Sequence, residues 1–461
     1  MIGPLIVVLA AAGAFGSILL GGSILIAALA GLALIVGVFV GLRHPTWLLW
    51  ATAGAAGLFP AGYLPGVHVP MVFSLAMGFL LATLVHPVEN KKISTMEWFV
   101  IALLLMSFLS LVVTAGSPVD IMEFVKWAAA VSLVIALMRL PRSQVFRFGQ
   151  VYVCATTLSG LLAMGIVFGD PAGKVLKSLS ILGYGTEAES TRYVYSGDKP
   201  TARLAGTFLD PNAAGIGILV ALLICVIVFA GWTRFVLGGI LLVCLILTLS
   251  RASLFALVFG VVMMLVFQSL SVRQRTGIIA TFVLGFCAAL SVPQIRNRLL
   301  TSFSSQDTGS SARLDAIRDF PGALTGRWIF GRGWGLPEFK DPALAFTTNF
   351  VANAPLLSVY RGGVLVGITF VIGMLYSCTL GYRCLRSDQW NLGLYGGSFI
   401  GFFLITMQLD IGTVTIPVST AGLSFLLVFL IHASDMAKES STKHSSPDHD
   451  LLAVPPQPVS R

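Results

Sequence analysis

The chain has 461 residues, 56% hydrophobic and only 11% charged, with a net charge of +9 and a mean hydropathy of +0.90. Soluble domains carry about 25% charged residues, so a water-soluble fold has nowhere to put this much apolar surface. In a soluble chain the basic excess would point to nucleic acid. Here it reads as membrane orientation and an anionic substrate, and nucleic acid is set aside.

Uncharged runs of about 18–20 residues recur along the chain, each long enough to cross a hydrocarbon core of ~30 Å as a helix. Backbone groups in that medium must be satisfied internally. Short alternating strands of a barrel are not seen, because the runs are continuously apolar. The expected fold class is all-α: a polytopic helical membrane protein of about 12–14 transmembrane helices, with two large outer loops and a short amphipathic outer helix.

In chain order the spans fall near 4–20, 24–41, 47–63, 70–86, 97–115, 121–139, 148–168, 212–230, 235–249, 252–270, 277–293, 357–381, 391–408 and 416–433. The opening run lacks the basic flank of a signal peptide and reads as a retained span. Asp120, Glu123 and Lys126 cluster at the start of the sixth span, where Glu123 and Lys126 can pair. Lys and Arg in the short connectors (Arg43, Lys91, Lys92, Arg139, Arg142, Arg147, Arg234, Arg273, Arg275, Arg383, Arg386) fall on one side. The positive-inside rule then places both termini in the cytoplasm and the long segments 169–211 and 294–356 outside a cytoplasmic membrane. Within the second, Ser310–Phe320 has the pattern of a short helix with Leu314 and Ile317 on one face. Residues 1–433 form the transmembrane domain. Residues 434–461, rich in Ser, Pro and charge, are expected to be a disordered cytoplasmic tail. The six cysteines lie in or beside apolar runs and offer neither a disulfide framework nor a metal knuckle.

Two arginines stand out by position. Arg203 lies in TARLAGTFLDPNAAG just before the eighth span, and Arg251 sits in a turn between two apolar runs, LTLSRASLFAL. A charge flanked so tightly by apolar residues is costly unless it is paired or needed. Guanidinium groups are suited to bidentate phosphate binding. The bland alternatives are snorkelling to the interface, surface ion pairs such as Asp315–Arg318, and for Asp210, ahead of Pro211, a helix-start role.

Four motifs then occur in order: Arg203-Leu-Ala-Gly206-Thr207-Phe208-Leu-Asp210-Pro211-Asn212; Leu247-Thr248-Leu249-Ser250-Arg251; Arg313 followed by Gly331-Arg-Gly333-Trp-Gly335; and Asn353-Ala-Pro-Leu356 with Gly363, Val364 and Gly367. Together they resemble the signature region of the O-antigen ligase and O-antigen polymerase superfamily of the bacterial cell envelope. The resemblance implies a metal-independent enzyme without nucleotide sugar or other cofactor. Such an enzyme takes a glycan from a polyprenyl-pyrophosphate carrier and passes it to a saccharide or lipid acceptor at the outer face. It further implies Arg203 and Arg251 as catalytic residues, and Arg313, Arg318, Asn212 and Asn353 as substrate-binding ones. Resembling ligases place His, and many polymerases Asp, directly before the loop Asn, where this chain has Ala352. No His occurs between Pro87 and Ile431, so either an outer-loop acid, with Glu338 and Asp210 the first choices, serves as general base, or the acceptor is deprotonated late and needs little help. Two other function classes compete: a transporter or flippase of lipid-linked glycan, and an inactive relative serving as an envelope-assembly partner.

Overall fold

A computed structural model describes residues 43–64, 69–86, 92–170, 173–184, 193–196, 199–291, 317–335, 353–406 and 417–445, together with positions 39 and 296. The first predicted span and almost all of the second lie outside the described residues. The helices are α1 (Pro45–Leu58), α2 (Met71–Val85), α3 (Thr95–Thr114), α4 (Pro118–Met138), α5 (Arg142–Gly169), the short α6 (Lys174–Ser178), α7 (Pro211–Val228), α8 (Gly231–Leu247), α9 (Arg251–Phe267), α10 (Val272–Ser291), α11 (Ala354–Gly362), α12 (Val364–Leu385), α13 (Trp390–Thr406) and α14 (Pro417–Ser445).

Among the described residues, six helices are long and apolar enough to cross a membrane: α3, α4, α5, α7, α12 and the Thr420–Ser440 part of α14. Four shorter apolar helices accompany them: α2, α8, α9 and the Trp390–Ile405 part of α13. The chain is an all-α polytopic membrane protein.

α7 and α14 are buried on nearly every side, whereas α3, α4, α5 and α12 are buried over about half of their surface or less. A helix apolar all round belongs in the centre, and the others turn their remaining apolar faces to lipid. Lipid tails give helices no hydrophobic reason to associate, so close packing and internal hydrogen bonds hold the bundle. Gly260 of α9 lies against the backbone of Ser398 in α13, and Gly396 against the carbonyl of Gly381 in α12. Ser424 Oγ donates to the Ala130 carbonyl at 2.8 Å and Tyr395 Oη to the Leu426 carbonyl at 2.8 Å, tying α14 to α4 and α13.

The two ends of the bundle differ. At one, Arg139 pairs with buried Glu97 at 2.7 Å, Arg142 reaches Glu439, Gln268 donates to the Ser387 carbonyl, and the Arg234 guanidinium lies over Trp390. The two predicted outer loops enter and leave at the other end.

Several expectations need correction. The last helix does not stop at 433. It continues to Ser445, and within its extension Lys438 pairs with Asp435 and Glu439 with Arg142, so 434–445 is helical rather than disordered. The twelfth predicted span is two helices, broken at Gly363, whose φ of 84° is left-handed and whose Cα is pressed against the Ile329 carbonyl. The seventh begins at Arg142, not 148. The first outer loop carries a two-stranded antiparallel hairpin, Tyr193–Ser196 with Lys199–Ala202, Ser196 opposite Lys199. Of the predicted Ser310–Phe320 helix, only positions from 317 onward are described; 317–323 are helical. That turn seats Phe320 and Leu324 on Leu357 and Tyr360 of α11 and leaves Ile317 exposed.

Candidate functional site

The first two sequence motifs meet. The end of α8 leaves orphan carbonyls, as every helix C-terminus does. The incoming 203–204 segment satisfies them: Leu204 N–H donates to the Leu247 carbonyl at 3.0 Å, and Arg203 Nε to the Thr248 carbonyl at 2.8 Å. Arg203 Nη2 donates to Asn212 Oδ1 at 2.9 Å, and Arg203 is buried. A cation at a helix C-terminus is favoured by the helix dipole. Asp210 is the N-cap of α7, its Oδ1 accepting the N–H groups of Asn212 and Ala213 at 2.8 Å each, with Pro211 at the first helical position.

This corner is built from small residues and strained backbone. Ser159 and Thr207 hydroxyls bond at 2.6 Å, Gly206 lies against Ala163, and Gly215 lies against Ser250 and Ser253. Among the described residues, the non-glycine positions with left-handed φ are Leu209 at 63° and Leu249 at 52°, one in each motif. Asp210 N–H bonds back to the Phe208 carbonyl at 2.7 Å, so Leu209 is the centre of a γ-turn of the strained kind. Such backbone costs of order 1–3 kcal/mol each and collects at functional sites.

Arg251 is not in the turn the sequence suggested. It is the first residue of α9, after the N-cap Ser250, and it is partly exposed. A cation there faces the positive end of the helix dipole, an unfavourable placement worth roughly 0.3–1 kcal/mol.

The Gly331-Arg-Gly333-Trp-Gly335 motif docks elsewhere at the same end of the bundle. Trp334 is buried, its ring 4.5 Å from Trp127 and edge-on to Phe124 at 5.5 Å, with the Arg361 guanidinium 5.6 Å from its centroid. Asp120 holds the chain beside it. Its Oδ1 accepts Gly335 N–H at 2.7 Å, and its Oδ2 accepts the N–H groups of Gly116 and Ser117 and the Ser117 hydroxyl. Arg332 and Gly333 N–H groups donate to the Tyr360 and Arg361 carbonyls, and Arg332 Nε to the Ala323 carbonyl at 2.6 Å.

Of the predicted site residues, Arg203, Asn212 and Asp210 form one bonded chain, and Arg251 stands directly after the turn that Arg203 clamps. Asn353 caps α11, its Oδ1 accepting the Leu356 N–H at 3.1 Å. Arg318 is exposed on the 317–323 turn. Arg313, Glu338 and Ala352 lie outside the described residues. Sequence reasoning did not single out Asp120 and Trp334 as partners. The Ser117-Pro-Val-Asp120 spacing of a capping box was the available signal for Asp120. No family model matches the chain, and no curated protein matches it.

Proposed function

We propose that this chain is a glycosyltransferase-type ligase or polymerase of the cytoplasmic membrane, resembling the O-antigen ligase and polymerase superfamily. It moves a glycan from a polyprenyl-pyrophosphate carrier to a saccharide or lipid acceptor, with both termini cytoplasmic and the Arg203 end outside. The observation that carries this reading is the convergence of two arginine-bearing motifs, far apart in sequence, on one strained corner. A further support is depth. α8 and α9 are 17 residues each, about 25 Å of helix. The 248–250 turn between them therefore belongs near the boundary of hydrocarbon and headgroup, where a lipid pyrophosphate lies.

In this reading the acceptor hydroxyl oxygen bonds to the anomeric carbon while the bond from that carbon to the phosphate oxygen breaks. The proton passes to a general base, and polyprenyl pyrophosphate leaves with its charge stabilised by donors already in place. The two arginines divide the work. Arg203, engaged by Thr248 and Asn212, sets the corner's shape. Arg251, at the N-terminal end of α9 where the helix dipole favours an anion, faces the pyrophosphate. Asp210 is committed to capping α7, which leaves Glu338 as the base we propose.

Cells lacking the gene should accumulate the lipid-linked donor on the outer face of the membrane, as full-length glycan for a ligase or as single repeat units for a polymerase. Accumulation on the inner face would favour the flippase reading. An unchanged lipid-linked pool would favour the inactive-partner reading, to which Ala352 lends weight. Single cysteines at Ser190 and Ser305 should label with an impermeant thiol reagent in intact spheroplasts; protection of both would reverse the orientation.

A further inference from the structure

Three large apolar side chains stand side by side at the turn Trp328-Ile329-Phe330, exposed by 43%, 63% and 39%. A loop in water has no use for such a cluster. The backbone fixes where the turn sits. The Val364 N–H donates to the Trp328 carbonyl at 2.8 Å, and the Ser110 hydroxyl to the Phe330 carbonyl at 2.6 Å. Gly331 N–H donates to the Arg327 carbonyl, and Arg327 N–H to the Leu324 carbonyl. The turn is thereby held level with the end of α3 and the start of α12. Those helix ends present Val112, Val113, Leu365 and Ile368 outward, all exposed, as a lipid-facing band must be.

We propose that Trp328-Ile329-Phe330 is a membrane anchor, inserted into the interfacial layer of the leaflet at the end of the bundle that carries Arg203. Three observations select lipid over water. The exposed cluster is continuous with the apolar band of α3 and α12. Two of its three carbonyls, those of Trp328 and Phe330, already have donors inside the protein, which lowers the cost of leaving water for the interfacial layer. Its composition is that of interfacial anchors: an indole at the edge, aliphatic and aromatic side chains beside it, and the exposed Arg327 next in sequence to meet lipid phosphates. The anchor is independent of the chemistry proposed above. It fixes the height of the second outer loop against the membrane whatever that loop binds.

The test is a nitroxide on Ile329→Cys, with the six native cysteines replaced, in liposomes of phosphatidylethanolamine and phosphatidylglycerol. Power saturation should show several-fold more relaxation from oxygen than from a water-soluble nickel complex. A label at Val113→Cys should behave alike, and one at Thr325→Cys in the opposite way. Dominance of nickel at 329 places the turn in water, and weak relaxation from both reagents places it under protein; either overturns the anchor. If the cysteine-free chain does not fold, Trp328→Phe in the natural background gives the answer. The fluorescence it removes should be the part quenched by lipids brominated near the headgroup. Loss of a component quenched only by aqueous iodide contradicts the proposal.

Discussion

At the corner formed by residues 203–212 and 247–253, a cation meets the C-terminal end of α8. At the latch formed by residues 327–335, an anion meets the N-terminal end of α4. Both devices join a loop to a membrane helix by satisfying backbone groups that helix ends leave open, and both put the charge on the side the helix dipole favours. The resemblance ends there. The latch is aromatic and carbonyl-bound: Trp334 fills a space between Trp127, Phe124 and Arg361, and each charged contact has a stability role. The corner holds two left-handed leucines, small side chains packed close, and Arg251 set against the dipole of its own helix. Stability accounts for the latch. The two left-handed leucines at the corner cost stability instead, and that strain directs the functional reading there.

Corner and latch should respond differently to mutation, and Arg203→Ala should have the largest effect. Losing this buried guanidinium leaves Asn212 Oδ1 and the Thr248 carbonyl without their donor, at about 1.5–3 kcal/mol for each hydrogen bond to a charged group. Solubilised, monodisperse protein should nearly disappear. Arg203→Lys should recover little of it, since one ammonium does not span both acceptors.

Asp120→Ala comes next. It leaves Gly335 N–H and the first turn of α4 without their acceptor, at about 1.5–3 kcal/mol for hydrogen bonds to a charged group. Thermal unfolding in detergent should shift down, and protease should gain access near 331–335. Asp120→Asn, which keeps an oxygen for Gly335, should shift less. Equal shifts for both would mean that charge, not acceptor geometry, holds the latch.

Arg251→Ala should have the smallest effect on stability, within about 1 kcal/mol of the natural chain in either direction, because it also relieves the dipole conflict. A collapse like that of Arg203→Ala would make the corner purely structural and erase the contrast.

Much of this was legible in the sequence, for local reasons. Apolar runs gave the helices, Glu123 and Lys126 pair at 2.7 Å as their spacing allowed, and Asp210 before Pro211 is the helix start that pattern suggested. The hairpin at 193–202 was missed although Gly197-Asp198 between two strand-like runs is a two-residue turn signal. The break at Gly363 was read through as one span, although Arg361 and the Gly362-Gly363 pair stand at it. The start of the helical 434–445 segment is held by burial, with Ala437 in the bundle core and Met436 packed against it, which the polar composition of the tail conceals. The latch was beyond sequence reasoning because its central bond, Asp120 to Gly335, joins positions 215 residues apart. Tertiary partners at such separations leave no local period or spacing to read.

The activity we propose is lipid-linked glycan transfer with Arg251 on the pyrophosphate. Its most direct test uses the purified chain in proteoliposomes with a polyprenyl-pyrophosphate-linked glycan and a saccharide or lipid acceptor, following release of polyprenyl pyrophosphate together with the joined product. The natural chain should release both in equal amounts. Arg251→Ala, folded and as stable as the natural chain, should lose at least ~100-fold in rate, the scale set by removing one preorganised donor to a developing charge. Arg251→Lys should remain far below the natural rate. Transfer by Arg251→Ala at the natural rate would contradict the account.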